Sequence, residues 1–337
     1  MKAWGIGVAI LAGLLVSCSR TPAPAAPALL VSHVANRTPS PEIELGLRLF
    51  FDPKLSADGS ISCATCHQPG RGFSNGAAVG TGIGGKKGNR SVPTIYAAGH
   101  DGPQFWDGRA ATLEAQALMP IANPDEMGAK LPEVVAKLNK DPLYTQLFQA
   151  VYGGPATAQR LGKAIATFER ALKANQSPFD RFQAGDQSAM NDSQKRGWEV
   201  FQDRGRCIEC HKGSDLSDTN FHNIGVGTDT DTVDVGRMAV TKLQSDWASF
   251  KTPTLRNIAK TAPYMHDGSQ ATLNDVVKFY NRGGLFNPNI DPKMKPIHLG
   301  ADEQEDLLAF LGALTSPDNL KDLAPSPSGR PTSPPRR

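Results

Sequence analysis

The chain has 337 residues, of which 39% are hydrophobic and 20% charged, and its 36 basic and 33 acidic residues give a net charge of +3. The length predicts two domains, and the composition excludes a disordered chain, a coiled coil and a membrane protein with several spans. The balanced charge predicts no basic surface of the kind that binds nucleic acid. The 33 glycines and 26 prolines predict long loops and few strands.

Residues 1–18 have the pattern of a lipoprotein signal peptide. A basic residue precedes a short apolar run, and small residues precede Cys18, as in a bacterial lipobox. We expect cleavage before Cys18 and its lipidation, which would anchor a periplasmic protein to the membrane; an ordinary signal peptide that contains a cysteine is the alternative. The Pro/Ala-rich stretch 19–40 is predicted to be a tether, and 323–337 a disordered tail.

Two short motifs carry the chemistry. Each has the form Cys-x-x-Cys-His, and they comprise Cys63, Cys66 and His67, and then Cys207, Cys210 and His211. This form is the attachment signal of c-type haem, in which two thioether bonds fix the porphyrin and the adjacent histidine ligates iron. The sequence therefore predicts two covalently bound haems.

Three other interpretations of the cysteines fit less well. Zinc modules usually place two such pairs about 15–20 residues apart, far closer together than these pairs. A thioredoxin-like redox pair requires a βαβ setting, which neither motif has. Structural disulfides suit an exported protein, but adjacent Cys-x-x-Cys pairs rarely form them.

The two motifs belong to an internal repeat. Residues 44–50 precede the first motif and 195–201 the second, and each segment starts a short amphipathic helix whose glycine could pack closely on a flat partner. Further helical patterns occupy 131–151, 156–174, 272–281 and 302–314, the last with Asp302 as its expected N-cap. Strand-like alternation is nearly absent. We predict an all-α protein with two tandem cytochrome c-like domains, 41–185 and 186–322, each with one haem.

Three further segments, 104–114, 252–257 and 262–268, have the sequences QFWDGRAATLE, TPTLRN and APYMHDG. Together with the haem motifs they closely resemble the bacterial dihaem cytochrome c peroxidase/MauG family over roughly 41–315. The resemblance implies an N-terminal haem that reacts with hydrogen peroxide and a C-terminal haem that takes in or stores electrons. It also implies a calcium ion between them.

By position, the resemblance makes Glu114 the distal glutamate and Gln104 the distal glutamine of the peroxide site. A carboxyl group in a water-poor pocket has a raised pKa, so it could move a proton from one peroxide oxygen to the other. Otherwise Glu114 is an ordinary residue of a helix surface. For calcium, the resemblance implies the backbone carbonyls of Thr261 and Pro263 and the side-chain amide of Asn89.

The loop after the first motif departs from the pattern of many dihaem peroxidases. Those enzymes carry a histidine there that blocks the distal face of the N-terminal haem, whereas 68–99 contain no histidine or methionine. His100 lies in a polar turn, where a solvated role is commoner. The first haem is therefore expected to be held by His67 alone and to be open to peroxide.

The sixth ligand of the C-terminal haem is the second departure. Where the peroxidases place a methionine, this chain has Tyr280, as MauG-like members do. Tyr280 lies with two valines on the apolar face of its helix, and a phenolate ligand would stabilise ferric iron. A core tyrosine is the alternative, with Met265 and Met294 as the other possible ligands.

Three hypotheses about function follow. The first is a peroxidase that reduces hydrogen peroxide to water with electrons from a cytochrome c or a cupredoxin, with Tyr96 or Trp106 as a relay between the haems. The second is a MauG-like enzyme that oxidises aromatic residues of a partner protein, although the tryptophan before the second motif of MauG has no counterpart in 204–206. The third is a non-enzymatic electron carrier. A homodimer, common in the family, is expected.

Overall fold

A computed structural model of the protein describes Met1 and residues 40–96 and 102–317. The predictions for the signal peptide, the lipidated Cys18, the tether before residue 40, His100 and the tail fall outside the described residues. Within the described ranges, no helix is long and apolar enough to cross a membrane.

The described residues fold into α-helices joined by long loops, which confirms the predicted helical class. The helices are α1 Pro41–Phe51, α2 Cys63–Cys66, α3 Leu113–Ala122, α4 Leu131–Lys140, α5 Pro142–Tyr152, α6 Ala158–Ala171, α7 Pro178–Gln183, α8 Asp192–Gln202, α9 Met238–Thr241, α10 Leu273–Asn281 and α11 Ala301–Ala313. Two short antiparallel strands, β1 Phe221–His222 and β2 Phe250–Lys251, are the exception.

Capping residues set two helix boundaries at positions that differ from those predicted by the hydrophobic periodicity. The pattern over 131–151 is divided into α4 and α5, because the side chain of Asp141 accepts a hydrogen bond from Leu143 N at 3.0 Å and Pro142 starts a new helix. The expected N-cap Asp302 was wrong: α11 begins at Ala301, and Gly300 is the cap.

Two helix pairs form the repeated framework of the fold. A Cβ atom on Gly46 of α1 would lie 2.0 Å from the carbonyl oxygen of Ala164 on α6. In the same way, a Cβ atom on Gly197 of α8 would lie 1.9 Å from the carbonyl oxygen of Asp306 on α11. Each glycine therefore permits close approach of a second helix, rather than of the flat partner that was predicted.

Two hydrophobic clusters contain these helix pairs. The N-terminal cluster, from Leu45 to Ala174, includes the ring pair Phe50 and Phe168 with centroids 5.2 Å apart. The C-terminal cluster, from Phe179 to Leu314, includes the equivalent ring pair, Phe201 and Phe310, at 5.1 Å. Phe179 on α7, which precedes the predicted domain boundary at 185/186, packs in the C-terminal cluster.

A buried ionic network joins the two clusters. The guanidinium of Arg90 donates hydrogen bonds to both carboxylate oxygens of Asp234, at 2.7 and 2.9 Å, and to Asp107 at 2.6 Å. Nearby, the backbone N–H of Ser91 donates to the carbonyl of His266 at 2.7 Å. The network fixes the segment between the two motifs against the C-terminal half of the chain.

Candidate functional site

The histidines of the two motifs are held in the same way. Nδ1 of His67 lies 3.0 Å from the carbonyl oxygen of Phe73, and Nδ1 of His211 lies 2.9 Å from that of Leu216. Because a carbonyl only accepts, each Nδ1 carries the proton and each Nε2 keeps a lone pair. Burial lowers the pKa of both imidazoles. Neutral rings with a backbone-oriented Nδ1 are the form in which histidine ligates iron.

The four cysteines are free thiols; Cys63 packs against the N-terminal cluster and Cys207 against the C-terminal cluster. Burial raises the pKa of Cys63 and of Cys207 to about 12. The four thiols therefore form neither disulfides nor one joint zinc site. Among the described residues, three potential metal ligands lie close enough together to share one ion: Cys210, Asp218 and His222. One of them, Cys210, is a cysteine of the second motif.

An apolar cavity of about 230 Å³ lies against the second motif. Its walls include Cys207, Cys210 and His211, and also all three residues named as sixth ligands, Tyr280, Met265 and Met294. Burial raises the pKa of the Tyr280 hydroxyl, and the two cysteines raise it further. The lining fits a planar apolar group bound by His211, and the structure brings the predicted ligands of the C-terminal haem to one place.

A second cavity, of about 100 Å³, is lined by residues from both halves of the chain. Gln104 and Tyr96 line it, and the side-chain amide of Gln104 donates to the carbonyl of Gly102 at 3.0 Å. Trp106 lines both this cavity and the larger one, and its indole N–H donates to the carbonyl of Ser91 at 2.9 Å. The tryptophan therefore stands between the two cavities.

Glu114 lies in a different environment from the one predicted. It begins α3, its side chain is 37% exposed, and Arg170 on α6 donates to its two carboxylate oxygens at 2.5 and 3.2 Å. These hydrogen bonds hold the pKa of Glu114 below its ordinary value. The expected raised pKa was therefore wrong, because a guanidinium from a distant helix stabilises the carboxylate. Glu114 does not line the cavity of Gln104.

The raised pKa belongs instead to a residue that the sequence analysis did not consider. Glu169, the neighbour of Arg170, is 5% exposed, and burial raises its pKa to about 8. Aligning the sequence of α6 with that of α11 in the repeat could have identified Glu169.

A second missed group lies beside the second motif. His222 contacts Asp291 through Nδ1 at 2.6 Å and Asp218 through Nε2 at 3.1 Å. The Cys210 thiol and the two carboxylates raise the pKa of His222 to about 9.

The three residues named for calcium lie near the junction of the two clusters. Thr261 and Pro263 both line the larger cavity. Asn89 is exposed. It lies two residues before Ser91, whose backbone N–H donates a hydrogen bond to the carbonyl of His266. Within the described residues, neither the Thr261 nor the Pro263 carbonyl accepts a hydrogen bond, so both oxygens remain available to a hard cation.

The site as a whole defines a class of protein: a helical chain with two repeated cytochrome-type histidine sites and a tryptophan between two cavities. The di-haem cytochrome c peroxidase family model matches residues 40–188. The methylamine utilization protein MauG of Methylorubrum extorquens is 39% identical over 83% of this chain and 80% of its own length. The cytochrome c551 peroxidase of Nitrosomonas europaea is 38% identical over 87% of this chain and 86% of its own length.

A solved structure titled as a MauG-like protein associated with microbial copper homeostasis has a TM-score of 0.76 at 33% identity, over 86% of this chain and 93% of that one. The chain belongs to the di-haem cytochrome c peroxidase family. It is a peroxidase-type oxidoreductase, and its family implies two haem cofactors. Membership of an enzyme family argues against the third hypothesis, a non-enzymatic electron carrier.

Proposed function

We propose that this chain binds two covalent c-type haems and reduces hydrogen peroxide to water with electrons from a small redox protein, a cytochrome c or a cupredoxin. One observation carries the proposal: both motif histidines have Nδ1 fixed by a backbone carbonyl, so each presents Nε2 beside a free cysteine pair. When bound, the N-terminal haem supplies the redox chemistry of peroxide reduction, and the C-terminal haem supplies the electrons.

The N-terminal site would be held by Cys63, Cys66 and His67. Its sixth position would be open, and the repeat supports this. Helices α3 and α10 follow the capping threonines Thr112 and Thr272 in the same way, so Pro120 stands in α3 where Tyr280 stands in α10. A proline side chain has no donor atom for iron.

Glu114 and Gln104 would handle the peroxide. A carboxylate that Arg170 keeps ionised can accept the proton from one peroxide oxygen and return it to the other. The buried Gln104 amide can donate a hydrogen bond that orients the substrate. Trp106, which lines both cavities, is the better placed of the two relay candidates for electron transfer between the haems; Tyr96 lines only the smaller cavity.

The C-terminal site would be held by Cys207, Cys210 and His211, with Tyr280 as the sixth ligand and Met265 or Met294 as the alternatives. Burial disfavours a free phenolate, but a ferric ion within reach would reverse that preference. Calcium at the Thr261 and Pro263 carbonyls with Asn89, and a periplasmic location with a lipid anchor at Cys18, complete the proposal.

A second candidate function is a MauG-like oxidation of aromatic residues in a partner protein. Tyr280 in the cavity of His211 favours it. The sequence before the second motif opposes it, because Arg204, Gly205 and Arg206 stand where MauG has its surface tryptophan. Peroxidase activity with a small donor protein is therefore the preferred function.

The test uses the full chain, exported from a host that attaches c-type haem. Two haems per chain and steady-state reduction of peroxide by a reduced cytochrome c or cupredoxin are expected. Glu114→Gln should lower the peroxide rate by about 10²–10⁴-fold, as loss of a general acid–base group does. Glu133→Gln, at an exposed ion pair with Lys130, is the control and should be unchanged. A chain without haem, or a Glu114→Gln variant with the wild-type rate, would overturn the proposal.

A further inference from the structure

The internal repeat places Glu169 opposite a residue whose surroundings are known. A Cβ atom on Gly46 would lie 2.8 Å from Cβ of Phe168, and a Cβ atom on Gly197 would lie 2.7 Å from Cβ of Phe310. The two phenylalanines therefore hold equivalent places in the repeat. The residue that follows each of them, Glu169 on α6 and Leu311 on α11, must then be equivalent as well.

Leu311 shows what this position faces. It is 6% exposed and lines the cavity of about 230 Å³ that contains His211. By the repeat, Glu169 faces the corresponding space beside the first motif. Its charge acts on Cys63, the first thiol of that motif, and raises the pKa of the thiol, which places the carboxyl group close to the haem attachment point. An ionisable group thus replaces an apolar one at a haem-facing position.

One oxygen of the Glu169 carboxyl group has no hydrogen-bond partner in the described part of the chain. That oxygen, Oε2, is buried and neither accepts nor donates a hydrogen bond. Burial raises the pKa to about 8, and the Glu114 carboxylate raises it too, whereas Arg170 lowers it. Arg170 is already engaged with Glu114, and on α1 the Arg48 guanidinium bonds Glu44 at 2.7 Å. At neutral pH the group therefore keeps its proton.

We propose that Glu169 is a proton-holding residue of the N-terminal haem site, taking up one proton when the haem iron takes up one electron. The electron comes from the donor protein, or from an electrode in the test, and converts ferric to ferrous iron. In alkaline solution, where Glu169 is ionised beside ferric iron, the proton comes from solvent and converts the carboxylate to the acid. The physical reason is charge: a buried carboxylate is stabilised by the extra positive charge of ferric iron and loses that stabilisation on reduction. The proposal rests on the proposed haem at His67.

The test is a spectroelectrochemical titration of the holoprotein at a series of pH values, in which the potentials of the two haems are followed separately. In the wild type, the N-terminal haem potential should fall as the pH rises through about 8, because the carboxylate that forms there favours ferric iron. Glu169→Gln and Glu169→Leu should abolish this slope. Glu169→Leu installs the residue that the repeat already uses at the equivalent position, so folding is expected to be retained. Glu133→Gln is the matched control, and its slope should be that of the wild type.

Two outcomes would overturn the inference: a wild-type potential that is flat across this range, or a slope that survives in both Glu169 variants. Loss of the slope at both haems alike would also overturn it, because Glu169 lies on α6, in the N-terminal half of the chain. The haem content is measured first on every sample. A wild-type chain without haem refutes the proposed function, whereas a haem-loaded chain with an unaltered slope refutes only the role of Glu169.

Discussion

The guanidinium of Arg170 donates a hydrogen bond to each carboxylate oxygen of Glu114, at 2.5 and 3.2 Å, and joins α6 to the first turn of α3. Both side chains are about one-third exposed, at 36% and 37%. Glu169 is the sequence neighbour of Arg170, so two carboxyl groups with opposite pKa shifts interact with one cation. Such a division lets one group serve as a base while the other holds a proton.

Replacing the cation should alter the pH dependence of the peroxide reaction. In Arg170→Gln, the pKa of Glu114 should rise toward its ordinary value, because the group that favours its ionised form is lost. The acid limb of the rate profile should then move to higher pH. Stopped-flow rates across the acidic range measure this, with Arg204→Gln, which breaks the Glu303 ion pair of the C-terminal cluster, as the control. If the acid limb does not move, the ionisation of Glu114 does not control the rate, and the prediction is contradicted.

The repeated glycines should resist substitution. In Gly46→Ala and Gly197→Ala the added methyl group would lie about 2 Å from a backbone carbonyl of the partner helix, and overpacking of this kind costs about 1–3 kcal/mol or more. Gly312→Ala, on α11 with no atom within 4 Å of the added Cβ, should instead be neutral or stabilise by about 0.5–1 kcal/mol. Denaturant unfolding of the holoprotein measures all three. Equal stability of the Gly197 and Gly312 variants would contradict the packing.

The network around Arg90 should make the junction of the two clusters sensitive to acid. Burial alone would raise the pKa of Asp107 and of Asp234, but the hydrogen bonds and charge of Arg90 hold both below the ordinary value. Their contribution to stability is therefore present above the pKa of an unfolded carboxyl group and is lost as the pH falls through the folded values.

Removing the cation should have a large effect at neutral pH. Arg90→Met leaves Asp107, with 7% of its side chain exposed, without its main partner and should cost about 3–5 kcal/mol. The exposed pair broken by Arg204→Met should cost only about 0–1 kcal/mol. Unfolding free energies at neutral and acidic pH measure both, and the gap between Arg90→Met and wild type should narrow in acid. If the difference in unfolding free energy between Arg90→Met and wild type is the same in acid, the variant loses packing rather than ion pairs, and the prediction is contradicted.

The open N-terminal site predicts a reaction without prior reduction. Fully oxidised protein should react with one equivalent of hydrogen peroxide, because the described part of the loop, 68–96, offers no histidine or methionine to block the iron. The optical spectrum through the near infrared measures this. A reaction that begins only after one electron has been added would show a blocked site and contradict the prediction.

The same spectra test the sixth ligand of the C-terminal haem. Tyr280→Phe should change the oxidised spectrum of that haem and raise its potential, because loss of a phenolate removes a ligand that favours ferric iron. Met265→Leu and Met294→Leu, in the same cavity, are the matched controls and should leave the spectrum unchanged. A spectral change in either methionine variant, with none in Tyr280→Phe, would show that Tyr280 is a core residue and not the ligand.

Local patterns were sufficient to predict the helical class. The spacing of Cys63, Cys66 and His67 is set by one short turn, and sequence records such spacings directly. Helix starts at a capping side chain are of the same kind, although Asp302 shows that an acidic residue near a start is not always the cap.

Long-range contacts were not predictable from these patterns. The pKa of Glu114 depends on Arg170, 56 residues away, and nothing near Glu114 in the sequence records that pairing. Gly46 was correctly identified as a point of close approach, but only the tertiary structure reveals that its partner is a helix. Glu169 sits in an amphipathic helix between residues of both kinds, so its burial follows from the crossing of α1 and α6 rather than from its neighbours.

The smaller cavity has walls from both halves of the molecule: Tyr96 and Gln104 on one side, and 252–254 on the other. A fragment that ended after α6 would keep the first cysteine pair and its histidine, but it would expose Gln104 to bulk water. The glutamine could then not serve the orienting role proposed for it, since water would compete for its amide. Truncation of the gene at that point would remove one wall of the proposed substrate site, so the proposed peroxide chemistry depends on both halves of the chain.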